Sequence, residues 1–434
     1  MTFFVPLLLS AAAAGAAPPL PLVSRAPVAA VGSTSSLPPT VDLSLSEALD
    51  MLRNGNARTE ADKAPIEAAR ADLVAAAVAP NPTIAYEGTR LHSGTNTGAA
   101  DVDTLTAEWP VLLFGQRKAR KDAAGSAVAA SEAHVAADFA ERARDLRKAY
   151  DTLRIQQERV EVLTEAREDL TRIAGIVAAR RSAGDASDYD ALRVETESRE
   201  MGAQLGDSEG DLSEAQGRVA SMLARPALIP RATRDVKPAA IEPLDAEALW
   251  PEAESKLPEL EAARRDGAAA RAGEHAARRD RWPAPALTGG VESTRDASSK
   301  SWVFGLSFPI PILDRNQGAL AHAQAAADEA DLRRKALEAE LRAELDAAVR
   351  VAVRRRAAVA ELETGVASKV PQMRSMAETA YREGRGGILE LLDALRSLTA
   401  TRLARLDALQ SMAEADADLL FLLGRADQDA APGS

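Results

Sequence analysis

The chain contains no cysteine, and only 3% of its residues are aromatic. Without cysteine it forms no disulfide, offers no thiolate to a metal and carries no N-terminal lipid-bearing cysteine. A globular core built from 434 residues would draw on far more Phe, Tyr and Trp; alanine, leucine, glutamate and arginine dominate instead. That composition belongs to long helices and coiled coils. Positive charge is also in deficit: 53 Lys and Arg against 65 Asp and Glu leave a formal net charge of −12, which argues against nucleic acid as a partner. Apart from the N-terminus, no run approaches the ~20 apolar residues of a membrane helix.

The N-terminal run Phe3–Ala14, followed by the small residues Ala14, Gly15 and Ala16, reads as a signal peptide over 1–17, although no Lys or Arg precedes it. Residues 18–43, rich in Pro, Ser and Ala, read as an irregular leader.

From residue 44 onward the same pattern is written twice. LSEAL at 45–49 matches DAEAL at 245–249, SMLAR at 221–225 matches FLLGR at 421–425, and Gly184 corresponds to Gly384. One offset of about 200 residues fits the beginning, middle and end of each half. The expected organisation is a first repeat over 44–225, a proline-rich linker over 226–243, a second repeat over 244–425 and a disordered tail over 426–434. Each repeat runs through a modest helical segment, two short strands and a long helical hairpin (115–224 and 316–424).

Residues 111–225 contain no proline. Within them Leu146, Leu153 and Val160, then Leu163, Leu170 and Val177, recur at heptad spacing; Val359, Leu362, Val366, Met373 and Met376 continue such a seam in the second repeat. The runs 115–181 and 316–382 predict helices of roughly 100 Å, with a kink at Pro371. Alanine at many seam positions lets helices approach closely, and a helix with seams on two sides packs left and right, as in a cylinder wall.

The expected strands are 83–91, 102–109, 285–293 and 300–308. In the last, Trp302, Phe304, Leu306 and Phe308 share one face, and Ser301, Val303, Gly305 and Ser307 the other. Trp109, Trp282 and Trp302, three of the four tryptophans, lie at or beside strands, as suits a membrane–water interface. Strands of this length cross a bilayer, where every backbone group must be paired, so they must close into a barrel. Four strands cannot close; three copies give twelve. Pro110, Pro309 and Pro311 then mark the junction between barrel and helices, ending the ladder by removing donors, with Asp314 or Asn316 capping the next helix. Two ordinary hairpins on a soluble core are the alternative reading of the strands alone.

The duplication, the paired strands before each long helix, and the Gly turns followed by SDYDAL (187–192) and ILELLDAL (388–395) resemble the TolC family of trimeric outer membrane efflux ducts. FPIPILDRNQGAL and VPQMRSMAETAYREGRGGILELLDAL are most similar to its heavy-metal branch, the cobalt–zinc–cadmium resistance type. The resemblance spans nearly the whole chain after residue 42. It implies a mixed, mainly α fold: a periplasmic α-barrel of coiled-coil helices with four transmembrane strands per chain, twelve in a homotrimer. It also implies an outer membrane location with a periplasmic extension, contact with outer membrane lipid, docking to a periplasmic adaptor (membrane fusion) protein, and an inner membrane pump of the resistance-nodulation-division type.

A duct breaks no bond, so no catalytic set and no cofactor are expected. His92, His134, His275 and His322 show no ligand spacing. Met373 and Met376 read as packing, and the run 353–356 (VRRR) as a solvated face. The turns are more informative. Glu390 and Asp393 are i, i+3 neighbours that threefold symmetry would multiply into carboxylate rings; by resemblance they match the family's aperture acids, with Tyr381 and Gly384 in the turn before them and Gly184 as the counterpart. Asp190 reads either as a third ring acid or as the partner of Ser187 in a capping box. Ser187, Ala186, Gly386 and Gly387 are the expected adaptor-contact tips. The expected function is the passive exit duct of a tripartite efflux system for heavy-metal cations, with drug or type I protein export as the alternative, then a periplasmic coiled-coil adaptor. A filament-like coiled coil has no use for the strands.

Overall fold

Ser44 and Asp245 begin the same sequence of elements in the two halves. Ser44 accepts from Glu47 N while its own N–H donates to the Glu47 carboxylate, a reciprocal capping box; Asp245 accepts from Ala248 N at 3.0 Å. The computed structural model describes residues 40–95, 101–295, 299–365 and 369–428. The expected signal peptide (1–17), the leader up to 39 and the tail from 429 lie outside them.

After the short strand β1 (Val41–Leu43), the first half builds α1 (Leu45–Arg53), α2 (Ala57–Asp62), α3 (Ala64–Ala77), β2 (Thr83–Arg90), β3 (Asp101–Pro110), α4 (Gln116–Ala183) and α5 (Asp188–Met222). The linker contains β4 (Pro230–Ala232). The second half builds α6 (Ala246–Lys256), α7 (Pro258–Arg279), β5 (Ala286–Thr294), β6 (Ser299–Ser307), α8 (Gln317–Gly365), α9 (Val370–Arg382) and α10 (Ile388–Leu422). Left-handed backbone recurs at matching places: Gly115 and Asn316 before the long helices, Gly184 and Gly384 at the hairpin turns, Ala224 and Gly424 at the ends.

The 68 residues of α4 extend about 100 Å. Near its C-terminal end Leu163, Ala166, Leu170, Ile173 and Val177 are buried at alternating steps of three and four, the signature of a left-handed coiled-coil seam. They pack with Val194, Met201 and Leu205 of α5 and with Ile388, Leu391, Leu392 and Leu395 of α10 in one apolar cluster. Towards its other end α4 packs on α3 and α7. The expected seam of the second half holds only in part. Val359 is buried, but Met373 and Met376 are exposed, so in the single chain they are not the packing residues their spacing suggests; Val366 lies outside the described residues. The described part of α8 ends at Gly365 and α9 begins at Val370 with Pro371 in its first turn, so the expected kink falls where residues 366–368 lie outside the described residues.

The linker is fixed to both halves. β1 and β4 pair in parallel, so the last residues of the expected irregular leader are in fact ladder-bonded. The buried hydroxyl of Tyr150 donates to Leu43 O at 2.8 Å and accepts from Thr233 N and Arg234 N, and Gln157 accepts from Ala232 N. On the other side Asp416 accepts from Ala239 N at 2.8 Å and from Arg356, which also donates to Ala239 O. Arg356, with a side chain 17% exposed, is therefore not part of the solvated face expected for 353–356. At the C-terminus Ala426 is buried, Asp427 pairs with Arg53 and Gln428 O accepts from Arg147, so these residues are held where a disordered tail was expected.

Candidate functional site

The strands form one antiparallel sheet in the order β2-β3-β5-β6. Its register places Tyr86, Leu105, Val291 and Trp302 in one row across the sheet, and Trp109, Leu287 and Leu306 in another on the same face. This face is apolar yet uncovered: Trp302 is 76% and Phe304 82% exposed. The opposite face is polar, with Thr83, Glu108, Thr288 and Gly305 in one row and Glu87, Thr104, Glu292 and Ser301 in another. The alternation read from 300–308 thus extends across all four strands on the side nearer the helices, while towards the β2–β3 loop the same face carries the polar row Asp103, Ser293 and Lys300. Sequence reasoning passed over Glu87, Glu108 and Glu292, whose common face emerges only from the register. The edges, β2 and β6, each have one partner in the described chain.

At the junction Pro110 occupies the last ladder position, opposite Ala286, and the next donor, Val111 N, still reaches Pro285 O at 2.8 Å. Pro309 and Pro311 follow β6 after the single residue Phe308. Asp314 and Asn316 do not cap α8 as expected. Asp314 accepts from Asn316 N, while Asn316 takes a left-handed φ of 57° and its side chain donates to Ala277 O of α7. The two long helices start alike: Gln116 accepts from Phe114 N at 2.9 Å, and Gln317 from Arg315 N at 2.7 Å.

The hairpin turns lie at the far end of α4. Gly184 and Gly384 end their helices in left-handed turns in which Asp185 N and Arg385 N donate five residues back, to Arg180 O and Ala380 O. Gly386 sits in a close approach: a Cβ there would lie 3.1 Å from Glu390 Oε2 and 3.2 Å from Ala380 Cβ, so a larger residue would have to displace them by a few tenths of an ångström. Gly387 precedes α10 in extended conformation. Ser187 and Asp190 form a full capping box on α5, so the Asp190 carboxylate is engaged by Ser187 N at 3.2 Å. Ala186 packs at the margin of the apolar cluster that also holds Tyr381. Glu390 and Asp393 are both exposed, one helical turn apart on α10.

Tyr381 is 3% exposed and sits under Arg180, whose guanidinium stacks on the ring at 4.7 Å and donates to the Tyr381 carbonyl. Burial first, then the charge of Asp190, pushes the Tyr381 hydroxyl above its usual value, against Arg180. Sequence reasoning found Tyr381 but not Arg180, which no motif marks. Glu197 of α5 and Arg396 of α10 form a further tie between the two hairpins.

His92, His134, His275 and His322 are all exposed, and His134 pairs with Asp266 at 2.9 Å. Among the described residues no group of His, Cys, Asp or Glu is arranged to hold a metal ion, and no helix is long and apolar enough to cross a membrane.

The family model described as outer membrane efflux protein matches residues 48–225 and again 249–425. The cobalt-zinc-cadmium resistance protein CzcC of Cupriavidus metallidurans is 26% identical over 389 residues, covering 88% of this chain and 90% of that protein. Among solved structures, CusC aligns with a TM-score of 0.72 at 20% identity, over 89% of this chain and 93% of its own. The outer membrane protein VceC of Vibrio cholerae aligns with a TM-score of 0.68 at 18% identity, over 88% and 96%. The two ranges of the family match span the helices, strands and hairpin turns of both halves. The chain therefore belongs to the outer membrane efflux protein family: it is a passive export channel of the outer membrane with a periplasmic extension, and not an enzyme.

Proposed function

We propose that three copies of this chain close into one duct, a twelve-stranded barrel through the outer membrane continued by a helical barrel in the periplasm. The observation that carries this is the sheet with an uncovered apolar face, a polar face and two single-partnered edges. In lipid an edge with free N–H and C=O groups costs several kcal/mol per group, so β6 of one copy must pair with β2 of the next. The apolar face then meets lipid and the polar face lines the lumen. The two family matches and the recurring left-handed positions support repeats over 44–225 and 244–425 joined by the linker 226–243.

The exported species we infer is a heavy-metal cation. The name of the relative CzcC supports this, as do the carboxylates along the path: Glu87, Glu108 and Glu292 on the polar face, and Glu390 and Asp393 at the tips, with the Asp190 charge close by. Rings of such groups concentrate cations without holding them, as passive exit requires. The tips at Ala186, Ser187, Gly386 and Gly387 would meet a periplasmic adaptor, which links the duct to an inner membrane pump of the resistance-nodulation-division type.

The test is a deletion strain challenged with cobalt, zinc and cadmium salts and with a panel of drugs, alongside outer membrane fractionation and heat-modifiable migration of the purified protein. Metal sensitivity, complemented by the gene, with a trimer that dissociates on boiling, is the expected result. Drug sensitivity without metal sensitivity would reassign the cargo, and a water-soluble monomer would end the barrel reading.

A further inference from the structure

The junction between sheet and helices carries a feature that passive conduction does not use. Phe114 after β3, Trp282 before β5 and Phe308 after β6 meet in a groove of about 470 Å³ that is also lined by Arg278, Arg281 and Arg315. The Phe114 and Trp282 rings stack at 5.3 Å between centroids, yet Trp282 and Phe308 each leave more than half of their surface exposed. A second groove continues from it over Ile310, Ile312 and Leu313, and Leu313 is 89% exposed. The apolar face of the sheet therefore runs on, past the last ladder bond, onto the first residues of the helical part.

The charge at this level is opposite to that of the chain. In a protein of net charge −12, Arg117, Lys118, Arg120 and Lys121 open α4, and Arg278, Arg279 and Arg281 close α7 and the turn after it. Several are already engaged: Arg120 pairs with Asp280, Arg278 with Glu274, and Arg117 donates to Ala77 O. Arg281 makes no ion pair among the described residues, and the Arg315 guanidinium reaches only Ile312 O, at 3.4 Å. No carboxylate lines the first groove and these two guanidinium groups form no ion pair among the described residues, although Asp280, held by Arg120, and Asp314 line the second groove.

We propose that this groove binds an anionic phospholipid of the leaflet facing the periplasm, with the phosphate between Arg281 and Arg315 and an acyl chain along Trp282 and Phe308. The inference rests on the membrane reading of the sheet, because that reading puts the groove at headgroup level. Guanidinium pairs phosphate through two parallel donors, and cations next to a bilayer surface select anionic lipid. The stacked rings supply the apolar surface that a free phosphate ion would leave uncovered. Phe114 and Trp282 continue inner strands of the sheet, whereas Phe308 and Arg315 follow its edge strand β6, so a neighbouring copy is the rival occupant that the trimer readout below separates from lipid.

The full-length chain would be reconstituted in vesicles of phosphatidylethanolamine, with or without phosphatidylglycerol, extracted in mild detergent and weighed by native mass spectrometry. The expected result is an assembly that retains phosphatidylglycerol in preference to phosphatidylethanolamine. Arg281→Gln with Arg315→Gln should reduce that preference about thirtyfold, and Arg333→Gln, on α8 away from the groove, should leave it intact. Brominated phosphatidylglycerol should quench the wild-type fluorescence more than that of Trp282→Phe. An inserted trimer that retains no phosphatidylglycerol, or retains it equally in the double variant, overturns the proposal and leaves the duct reading standing. Loss of the trimer in the double variant, with no lipid retained in the wild type, would assign the groove to a second copy and overturn it too. Failure to insert into either vesicle would overturn both.

Discussion

Arg180, in the last turn of α4, stacks on the ring of Tyr381, in the last turn of α9, and donates to its carbonyl, so one side chain ties together the tips of the two hairpins. The same guanidinium reaches Asp185 O at 3.1 Å. Arg180→Ala removes the stacking and both hydrogen bonds, a local loss of about 2 kcal/mol. The expected outcome is a wider or more frequently open channel in planar bilayers. Tyr381→Phe is the control: the hydroxyl is buried without a hydrogen-bond partner, so its removal should change conductance little and stability by no more than about 0.5 kcal/mol.

Glu390 and Asp393 are exposed on adjacent turns at the N-terminal end of α10, where the helix dipole already favours negative charge. Replacing both with lysine should turn a cation-preferring channel toward anions, read as a shift in reversal potential under a salt gradient. Unchanged selectivity would remove the ring assignment.

The Arg356–Asp416 pair joins a half-buried guanidinium to a buried carboxylate, at 17% and 7% side-chain exposure, and clamps the linker through Ala239. Asp416→Ala leaves the guanidinium without its counter-charge and should cost about 3 kcal/mol or more. Asp416→Asn retains an acceptor for Ala239 N and should cost less. Denaturant unfolding of the detergent-solubilised protein separates the two.

Phe304 and Ser301 stand on opposite faces of β6. An arginine at Phe304 would face lipid and should cost about 2–4 kcal/mol of insertion free energy, whereas Ser301→Arg would face the lumen and be tolerated. Vesicle insertion of the two variants is the measurement, and equal tolerance would count against the two-faced sheet.

Glu259 lies among carboxylates. Burial first, then Glu344, Glu141 and Glu340, hold its carboxyl above the usual range, with Arg144 opposing. The folded state therefore binds this proton more tightly than the unfolded chain. The stability it contributes is fully present below the ordinary glutamate value and is lost as pH rises through the raised one. Glu259→Gln should raise the melting temperature at about pH 7.5 and leave it nearly unchanged at about pH 4.

Long helices, strand pairs and the repeat were legible because they depend on local periodicity: heptads such as Leu163, Leu170 and Val177, alternation such as Trp302, Phe304 and Leu306, and left-handed turns at glycine. Local patterns also led astray. Met373 and Met376 keep heptad spacing yet are exposed in the single chain, because spacing within one helix does not say which of its faces a neighbour covers. Asn316 looks like a cap, yet its left-handed backbone turns the side chain toward α7. Arg356 sits in a run of arginines and still is half-buried against Asp416, a partner sixty residues away and invisible to a local window.

The sequence by itself determined which segments are helix and which are strand, where they turn, and that one strand has an apolar and a polar side, since each depends on side chains a few positions apart. Only the tertiary structure decided which strand lies beside which, and hence that Glu87, Glu108 and Glu292 share a face. It alone brought Arg180 onto Tyr381 and Arg281 beside Phe308. Those juxtapositions depend on register and helix packing between residues that stand 201 positions apart for Arg180 and Tyr381, where composition and spacing carry no information.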